Sequence, residues 1–510
     1  MSKLRKILFH RVGITAVAIL LQIVLYVLLI WRFSAYAVQL NVLFICISLA
    51  AVLRVINGRS DPGYKLGWVV IVLLFPVVGG LLYLLLGGNR LSQRNQRRLK
   101  GMEYKVRRNL GGDCRRAPLL GEVFGADAAH MAHYLEHRAL CPVYGNTQTK
   151  YYPLGDDCFP DMLAAIDGAE KCIFLEYFII DKGVFWDGIQ AALERKAAQG
   201  VDVRVIYDDV GSLFTLPANF NRSLEKKGIK CRVFNRLVPV VSLRQNNRDH
   251  RKYLIVDGRT AFTGGINLAD EYINRKVRFG HWKDSAIRLN GDAVWSMTVS
   301  FLAMWGFTEG DSEHFTPFRA APAPATEGDG YVQPYSDCPW DEEPVGQMVY
   351  LNLINHAKNH IYLTTPYLIP DHSANMALIA AAKSGVDVRI LTPHIPDKKL
   401  VFQVTRSYYE ELLEAGVRIF EYTPGFIHAK NFEVDGLYAT VGTVNLDYRS
   451  LFLHFENGVL LYGTPTVGDV KEDFLATQAV SQEITLELCR RASWGTRLGR
   501  SVLKIFAPLL

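Results

Sequence analysis

The chain has 510 residues, which is too long for one ordinary hydrophobic core and favours roughly two to four structural units. Hydrophobic residues make up 49% of it and the formal net charge is +7. Both the apolar excess and much of the positive charge lie near the amino terminus. The eight cysteines are scattered and include no C-x-x-C pair, which argues against a zinc site or a disulfide scaffold and fits a reducing compartment.

Three apolar segments follow one another at the start of the chain: Val12 to Trp31, Ala35 to Leu53, and Leu66 to Leu86. Each approaches the roughly 20 residues that a helix needs to cross a bilayer. We therefore predict an uncleaved membrane anchor over residues 1–116, with two or three hydrophobic transmembrane helices. Pro76 lies inside the third segment, so a bent or re-entrant path is an alternative to a third span.

A basic patch follows these segments directly, and it consists of Arg90, Arg94, Arg97, Arg98, Lys100, Lys105, Arg107 and Arg108. Next to apolar segments, such a patch indicates a juxtamembrane stretch that faces anionic lipid. A solvated linker or a nucleic-acid-binding arm is the alternative. Basic residues also precede the first segment, so both ends of the anchor favour the cytoplasm, although three full spans would separate them. We predict a multi-pass protein of the cell membrane whose remaining part lies on the cytoplasmic face.

From about residue 148 the chain alternates strands and helices, and the same order occurs twice. Each copy has an apolar strand, a helix and a second strand, at 171–181, 185–199 and 200–209 in the first copy and at 359–371, 374–384 and 385–391 in the second. The sequence GVDVR begins the last strand of both copies. A repeat of this length predicts a duplicated domain rather than two unrelated ones.

This alternation predicts an α/β fold with largely parallel sheets and helices on their faces. We expect a first half at 117–318, a linker rich in proline, alanine and glycine at 319–330, and a second half at 331–510. Two similar halves would pack about a pseudo-twofold axis, where one loop from each half could meet.

A charged motif occurs once in each half. Its shared groups are a histidine, a lysine, an Asp-Gly turn and an asparagine, namely His250, Lys252, Asp257-Gly258 and Asn267 in the first half and His428, Lys430, Asp435-Gly436 and Asn445 in the second. A histidine and a lysine two residues apart on a strand point to one face. The Asp-Gly turn predicts a hairpin whose return strand leads to the asparagine.

These groups suit a phosphodiester substrate. One histidine can attack phosphorus covalently, while the other protonates the leaving alcohol and later deprotonates the incoming one. The lysines and asparagines can hold the phosphate oxygens, which carry charge in the transition state. This chemistry needs neither a metal nor a cofactor. Asp257 and Asp435 belong to the motif, but their place at the turns predicts an orienting or structural role rather than proton transfer.

Other ionisable residues are candidates for supporting roles. Glu176 stands inside an otherwise apolar strand, and a buried carboxylate needs a partner, so we consider it a possible partner of a catalytic histidine; a solvent-exposed strand end is the alternative. Asp447, Arg449 and Glu456 follow the second motif and either order the site or form a structural ion pair. The stretch 494–510 mixes basic and apolar residues at helical spacing, which fits a membrane surface or docking on the domain.

The pattern H-x-K-x4-D, followed by six residues and G-[GT]-x-N, resembles the HKD motif of the phospholipase D superfamily. The stretches that resemble its bacterial cardiolipin synthase branch are GGINLADEY (264–272), WKD (282–284), YLTTPYLIPD (362–371), NLDYRS (445–450), FPVVGGLLYLLLG (75–87) and FAPLL (506–510). The resemblance therefore spans nearly the whole chain, and neither motif departs from the family pattern.

The resemblance implies that a phosphatidyl group passes from one phosphatidylglycerol to another, giving cardiolipin and glycerol through a phosphohistidine. It also implies that His250 is the nucleophile and His428 the general acid and base; the residues alone leave these two roles open. The expected partners are phosphatidylglycerol and anionic membrane lipids, with no nucleic acid, and the oligomeric state stays open. The alternatives are a phospholipase D-type hydrolase, another phosphatidyltransferase and, less readily, a membrane-anchored nuclease or a non-catalytic scaffold.

Overall fold

The computed structural model describes residues 20–21, 23–25, 27–28, 31, 37–58, 60–75, 79–86, 93–113, 116–238, 243–309, 314–322, 330–341 and 343–509. These residues form two compact units. The first contains the amino-terminal helices together with the described part of 235–247, and the second contains residues from 93 to 234 and from 248 to 508. Apart from residues 235–247 and Leu509, both predicted halves lie in the second unit. The boundary at 116 stays a prediction, and residues 323–329 of the predicted linker lie outside the described residues.

The first unit contains three helices that pack on one another, α1 (Ala37–Asn57), α2 (Pro62–Leu74) and α3 (Gly79–Leu86). Helix α2 begins at Pro62 because the side chain of Asp61 accepts hydrogen bonds from the first free backbone N–H groups.

The predicted span at 66–86 is divided between α2 and α3, which have 13 and 8 residues. Both are shorter than the roughly 20 residues that a bilayer requires, so the prediction of one spanning helix here is wrong. No helix among the described residues has both the length and the apolar character to cross a membrane. Within the predicted segment at 12–31, residues 12–19, 22, 26, 29 and 30 lie outside the described residues.

The second unit is built on two large sheets. The strands of the first are β1 (Thr147–Tyr152), β2 (Cys172–Tyr177), β3 (Asp202–Asp208), β4 (Lys230–Phe234), β5 (Tyr253–Val256), β6 (Thr260–Gly264) and β8 (Ala286–Gly291). The short strand β7 (His281–Lys283) precedes β8 and is not part of this sheet. The strands of the second are β9 (Tyr331–Asp337), β10 (His360–Thr364), β11 (Asp387–Pro393), β12 (Arg418–Tyr422), β14 (Asn431–Val434), β15 (Tyr438–Gly442), β16 (Glu456–Tyr462) and β17 (Ser481–Ile484). The short strand β13 (Gly425–Ile427) precedes β14 and pairs with β7 instead.

The two sheets have the same strand order, which confirms the predicted duplication. The first runs β1-β8-β6-β5-β2-β3-β4 and the second β9-β16-β15-β14-β10-β11-β12, with β17 added at its edge. Only three neighbouring strands of each sheet are parallel, β2-β3-β4 and β10-β11-β12. The expectation of largely parallel sheets is therefore wrong, because the Asp-Gly hairpins return the chain antiparallel and β8 and β16 continue that pattern.

Helices cover the sheets, and they are α4 (Gln93–Leu110), α5 (Ala117–Phe124), α6 (Ala126–His137), α7 (Gly155–Asp167), α8 (Val184–Ala198), α9 (Phe220–Glu225), α10 (Val294–Glu309), α11 (Val345–His356), α12 (His372–Lys383), α13 (Lys399–Glu414), α14 (Tyr448–Phe452), α15 (Pro465–Ala479), α16 (Leu486–Arg490) and α17 (Trp494–Phe506). Helix α4 carries most of the basic patch and packs on α10, where Arg98 donates a hydrogen bond to the carbonyl oxygen of Phe307 at 3.2 Å. The basic patch thus belongs largely to the second unit.

Successive side chains along a strand point to opposite faces of the sheet and therefore pack in different hydrophobic cores. In β2, Ile173 and Leu175 face a core that consists of first-half residues and Phe426 of the second half, while Phe174 faces a core that contains residues of both sheets. Val441 and Leu461 reach that shared core from the second sheet. The two halves are therefore joined by a continuous hydrophobic seam, and this seam fixes how their loops meet.

Candidate active site

Each motif forms the predicted hairpin. Asp257 and Gly258 have φ angles of 53° and 64°, and Asp435 and Gly436 have 58° and 71°, the left-handed conformation that a two-residue turn requires. The Asp257 carboxylate accepts hydrogen bonds of 2.7–2.8 Å from the backbone N–H groups of residues 170–172. Asp435 accepts the equivalent bonds, also of 2.7–2.8 Å, from residues 358–360.

These two aspartates do not contact the histidines of their motifs. Each histidine precedes its strand, β5 or β14, and each aspartate follows it, so the two groups lie at opposite ends. Asp257 and Asp435 attach their hairpins to the starts of β2 and β10. A direct catalytic role for either carboxylate is therefore not supported by its position, and the orienting role stays a prediction.

The first histidine is paired with a carboxylate of the second half. Nδ1 of His250 lies 3.0 and 2.9 Å from the two carboxylate oxygens of Glu456. The backbone N–H of His250 donates to the carbonyl oxygen of Phe455, the residue before Glu456, at 2.9 Å. Glu456 is fully buried and also accepts a hydrogen bond from the hydroxyl of Thr443. The carboxylate is thus held rigidly against one ring nitrogen.

The second histidine has the equivalent arrangement, with its carboxylate supplied by the first half. Nδ1 of His428 lies 2.7 Å from Oδ2 of Asp284, a buried residue of the first half. The backbone N–H of His428 donates to the carbonyl oxygen of Lys283, again the residue before the carboxylate, at 2.7 Å. Each half therefore supplies one histidine and the carboxylate that serves the histidine of the other half.

Asp284 and Glu456 occupy equivalent positions in the repeat. In each half, the first glycine of the Gly-x-x-Asn sequence pairs with a residue of the neighbouring strand. The carboxylate lies two residues before that paired residue. The paired residues are Gly264 with Ala286 and Gly442 with Gly458. The sequence interpretation overlooked Asp284 and left Glu456 undecided. An alignment of the two halves through these strands, with a gap of six residues between the asparagine and the carboxylate, would have revealed both.

The predicted pairing of Glu176 with a histidine is wrong. Its Oε1 lies 2.5 Å from Nη2 of Arg251, and Nε of Arg251 lies 3.1 Å from Asp249. Burial raises the pKa of Glu176 well above its usual range, against the opposing effect of the arginine. Arg251 points away from the face that His250 and Lys252 share, because it stands between them in an extended stretch. Glu176 accordingly belongs to a buried structural cluster.

Both motif lysines are buried beside their histidines. Nζ of Lys252 donates to the carbonyl oxygen of His250 at 2.6 Å. Nζ of Lys430 bonds the carbonyl oxygen of His428 and lies 2.8 Å from its Nδ1. Burial lowers the pKa of Lys252 to about 8 and that of Lys430 to about 7. The charge of Lys252 contributes to the low pKa of Lys430 and of His428, so the two motifs form one electrostatic site.

The histidines are neutral near pH 7. Burial lowers the pKa of His428 to about 4 and that of His250 well below its usual range, against the opposing effects of Asp284 and Glu456. The contacts with the histidines keep the pKa of both carboxyl groups low despite their own burial. A neutral imidazole whose Nδ1 faces a carboxylate carries its proton there, which leaves a lone pair on Nε2.

The two motif asparagines are buried and hydrogen-bonded within their own halves. Nδ2 of Asn267 donates to the hydroxyl of Tyr272 at 2.8 Å, and the Tyr272 ring centroid lies 5.6 Å from that of His428. Nδ2 of Asn445 donates to Oγ of Ser450 at 3.0 Å. Because each amide NH2 has a second N–H, these bonds are compatible with the predicted contact to phosphate.

A third histidine, which the sequence interpretation did not single out, lies beside His250. The ring centroids of His454 and His250 are 5.6 Å apart, and Nδ1 of His454 lies 3.6 Å from Oε1 of Glu456. One ligand atom from each of these three residues falls within 4.8 Å of the others. This is the one group in the described part of the chain with the composition and spacing to hold a metal ion.

Comparisons with known proteins agree with this architecture. The family model described as "Cardiolipin synthase, PLD-like domain" matches residues 162–286 and 350–477, and the model described as "Phospholipase_D-nuclease N-terminal" matches residues 46–88. A phosphatidylserine synthase of Haemophilus influenzae has a similar fold, with a TM-score of 0.56 and 15% identity, over 75% of this chain and 98% of its own.

The sequence relatives cover nearly the whole chain. A cardiolipin synthase of Geobacillus kaustophilus is 34% identical over 92% of this chain and 93% of its own length. That of Halalkalibacterium halodurans is 32% identical over 94% and 95%. An uncharacterised protein of Streptococcus mutans is 42% identical over 91% of this chain and all of its own. From its duplicated fold and these relatives, the chain belongs to the cardiolipin synthase family of the phospholipase D superfamily.

Proposed function

We propose that this protein transfers a phosphatidyl group from one phosphatidylglycerol to the free hydroxyl of another, giving cardiolipin and glycerol. The observation that carries the proposal is the crossed pairing of two neutral histidines with Glu456 and Asp284, beside Lys252 and Lys430. A substrate with one negative charge and one departing ester oxygen matches two cations, one nucleophile and one proton-transfer group. The relatives named cardiolipin synthases support this choice of substrate.

The first step forms a phosphohistidine. The lone pair of Nε2 of His250 attacks phosphorus, and the bond from phosphorus to the glycerol oxygen breaks. Attack places a positive charge on the imidazole, which the anionic Glu456 at Nδ1 stabilises. The negative charge of the bound phosphodiester raises the pKa of His428, so that its Nε2 takes up a proton from the solvent before the reaction. His428 then gives this proton to the departing glycerol oxygen.

The second step reverses these roles on a new alcohol. His428, now neutral, takes the proton from the hydroxyl of the second phosphatidylglycerol, whose oxygen attacks phosphorus as the bond to Nε2 breaks. Lys252 and Lys430 hold the equatorial oxygens in both steps, aided by the amides of Asn267 and Asn445. Water in place of the second lipid would give phosphatidic acid, so the outcome depends on keeping water from the intermediate.

The protein acts at the cytoplasmic face of the cell membrane in this proposal. Its substrates are bilayer lipids, and the basic helix α4 suits an anionic lipid surface. The charge distribution around the first apolar segment favours the same side.

The proposal is tested with purified full-length protein in detergent micelles that contain phosphatidylglycerol alone. Cardiolipin and glycerol should appear in equal amounts, and His250→Ala and His428→Ala should each abolish both. Rapid denaturation of the wild type at neutral pH during turnover should trap a phosphatidyl adduct on His250. Phosphatidic acid without cardiolipin would identify a hydrolase, and an adduct on His428 instead would reverse the two roles.

A further inference from the structure

The carboxy-terminal helix α17 is amphipathic, but its apolar side faces the solvent. Its exposed face carries Trp494, Leu498, Val502 and Ile505, which are 79%, 48%, 47% and 39% exposed. Their spacing of four, four and three residues aligns them in one row, which we call the outer stripe. A helix of a soluble domain ordinarily turns such a row towards the core.

Polar contacts to helix α13 hold α17 in this orientation. Arg497 lies 3.2 Å from Glu410, Arg500 donates to Gln403 at 2.9 Å, and Lys504 lies 3.4 Å from Glu411. Nζ of Lys504 also lies 4.1 Å from the ring centroid of Tyr408. The basic side of α17 is therefore directed at the protein, with Leu503 and Ala507 packing on the core of the second half.

We propose that the outer stripe docks on the surface of an anionic phospholipid bilayer. A row of large exposed apolar residues marks an interaction surface. The chemistry of this one fits a lipid interface, since a tryptophan stands at one end of the row and residues 486–506 carry five basic residues and one acidic residue. Arg491 and Arg497 keep 71% and 50% of their side chains exposed beside the row, within reach of lipid phosphates.

The inference deepens the proposed function, because it rests on a substrate that resides in a bilayer. Docking through α17 would place the second half of the enzyme against the surface that supplies both lipids. Helix α17 lies outside the catalytic groups, so its contribution concerns access to vesicles rather than chemistry in the site.

Photochemical crosslinking to lipid tests the proposal directly. Full-length protein is reconstituted into vesicles of phosphatidylethanolamine and phosphatidylglycerol that contain a phosphatidylglycerol with a diazirine in its acyl chain. After illumination, lipid adducts are mapped by mass spectrometry of peptides. The test variant is Leu498→Glu with Val502→Glu, and the control is Val123→Glu, which replaces an exposed aliphatic residue on α5.

We expect lipid adducts on residues 494–506 of the wild type. The double substitution should lower their yield by about tenfold or more, because burial of each aliphatic side chain contributes more than one tenfold step. The control should leave the yield unchanged. Adducts elsewhere but none on 494–506, or an equal yield in the double variant, would overturn the proposal. The mass of the protein in detergent micelles is measured as well, and a wild-type dimer that the double substitution converts to a monomer would overturn the proposal and assign the stripe to self-association.

Activity separates this inference from the proposed function. The double variant should lose activity on vesicles but keep wild-type activity in detergent micelles, where no bilayer has to be bound. Full activity on both would overturn the docking proposal alone. If the wild type forms no cardiolipin in either system, the proposed function fails, while the crosslinking result still decides whether α17 contacts lipid.

Discussion

At the scale of single residues, the site depends on which nitrogen of each histidine carries the proton. Glu456 and Asp284 hold Nδ1–H of His250 and His428, so Nε2 is the free base in both rings. The carboxylates have a second effect, since their negative charge stabilises an imidazolium in the low-dielectric interior. Orientation and charge compensation therefore come from the same two residues.

Replacement of Glu456 by glutamine tests this dependence. Glutamine keeps the size of the side chain but removes its charge and can present an N–H to Nδ1, which favours the wrong tautomer. We expect kcat to fall by about a thousandfold or more. The rate of glycerol release in micelles measures the effect. Asp284→Asn should give a similar loss, whereas a loss of less than about tenfold in both would contradict the assigned role.

The dependence of kcat/KM on pH tests the buried lysines. Lys430 and Lys252 hold phosphate only when charged, and their pKa values are lowered to about 7 and about 8. The charges are present below these values and are lost as the pH rises through them, so kcat/KM should decline on the alkaline side of pH 7. Lys430→Arg keeps its charge and should move this decline to higher pH. An unchanged profile in that variant would exclude Lys430 as its cause.

The two motifs were predictable from the sequence, and the carboxylate partners were not. Each motif is contiguous, so a strand of known periodicity is enough to place His250 beside Lys252 and His428 beside Lys430. Asp284 and Glu456 act across the halves, and pairings between halves leave no trace in local periodicity. Glu176 appeared to be a better candidate because it is an isolated carboxylate in an apolar strand, but the register of β2 against β5 makes it a neighbour of Arg251 instead.

At the scale of elements, hydrogen bonds hold the Asp-Gly hairpins at their turns. Asp257 accepts hydrogen bonds from three backbone N–H groups at the start of β2, and Asp435 accepts three at the start of β10. These N–H groups belong to the two residues before each strand and to its first residue. The aspartates thus connect the end of one strand to the beginning of its neighbour.

Asp257→Ala should lower stability without changing the chemistry. The substitution removes three charged hydrogen bonds and places alanine at a positive φ, so we expect a loss of about 2–3 kcal/mol in the free energy of unfolding. Thermal or denaturant unfolding measures this loss. Asp257→Asn, which tolerates positive φ and retains one acceptor, should lose less. A collapse of activity in correctly folded, equally stable protein would instead restore a catalytic role for Asp257.

The bounds of α8 and β3 were predictable to within two residues, whereas the predicted strand at 359–371 extends seven residues beyond the end of β10 at Thr364. The mixed direction of the sheets was not, because an Asp-Gly turn predicts one antiparallel pair but not where the next strand inserts. β8 lies beside β6 and β1 rather than at the parallel edge. The amino-terminal segment at 66–86 was misjudged because its hydropathy is continuous, whereas its helix ends at Leu74.

At the scale of the whole molecule, the site is completed within one chain. The hydrophobic seam holds the two sheets together, and backbone bonds from His250 to Phe455 and from His428 to Lys283 set the register between the halves. A chain that lacks either histidine therefore lacks either the nucleophile or the proton-transfer group.

A mixture of two inactive chains tests this organisation. His250→Ala and His428→Ala proteins are combined, partly unfolded, refolded together and assayed for cardiolipin. We expect no recovery beyond the sum of the separate proteins, since the shared core joins the halves of the same chain. The control is wild-type protein taken through the same cycle, which must regain activity. Recovery in the mixture would show that halves exchange between chains.

The crossed pairing has a consequence for how such a protein can evolve. A single half has a histidine but not the carboxylate that serves it, so alone it would work only as a symmetric pair of identical subunits. In such a pair, every change at one position occurs at both. Fusion of the halves into one gene removes that constraint, and here one partner is an aspartate and the other a glutamate. Two histidines that began as equals are thereby free to specialise, one for attack and one for carrying protons.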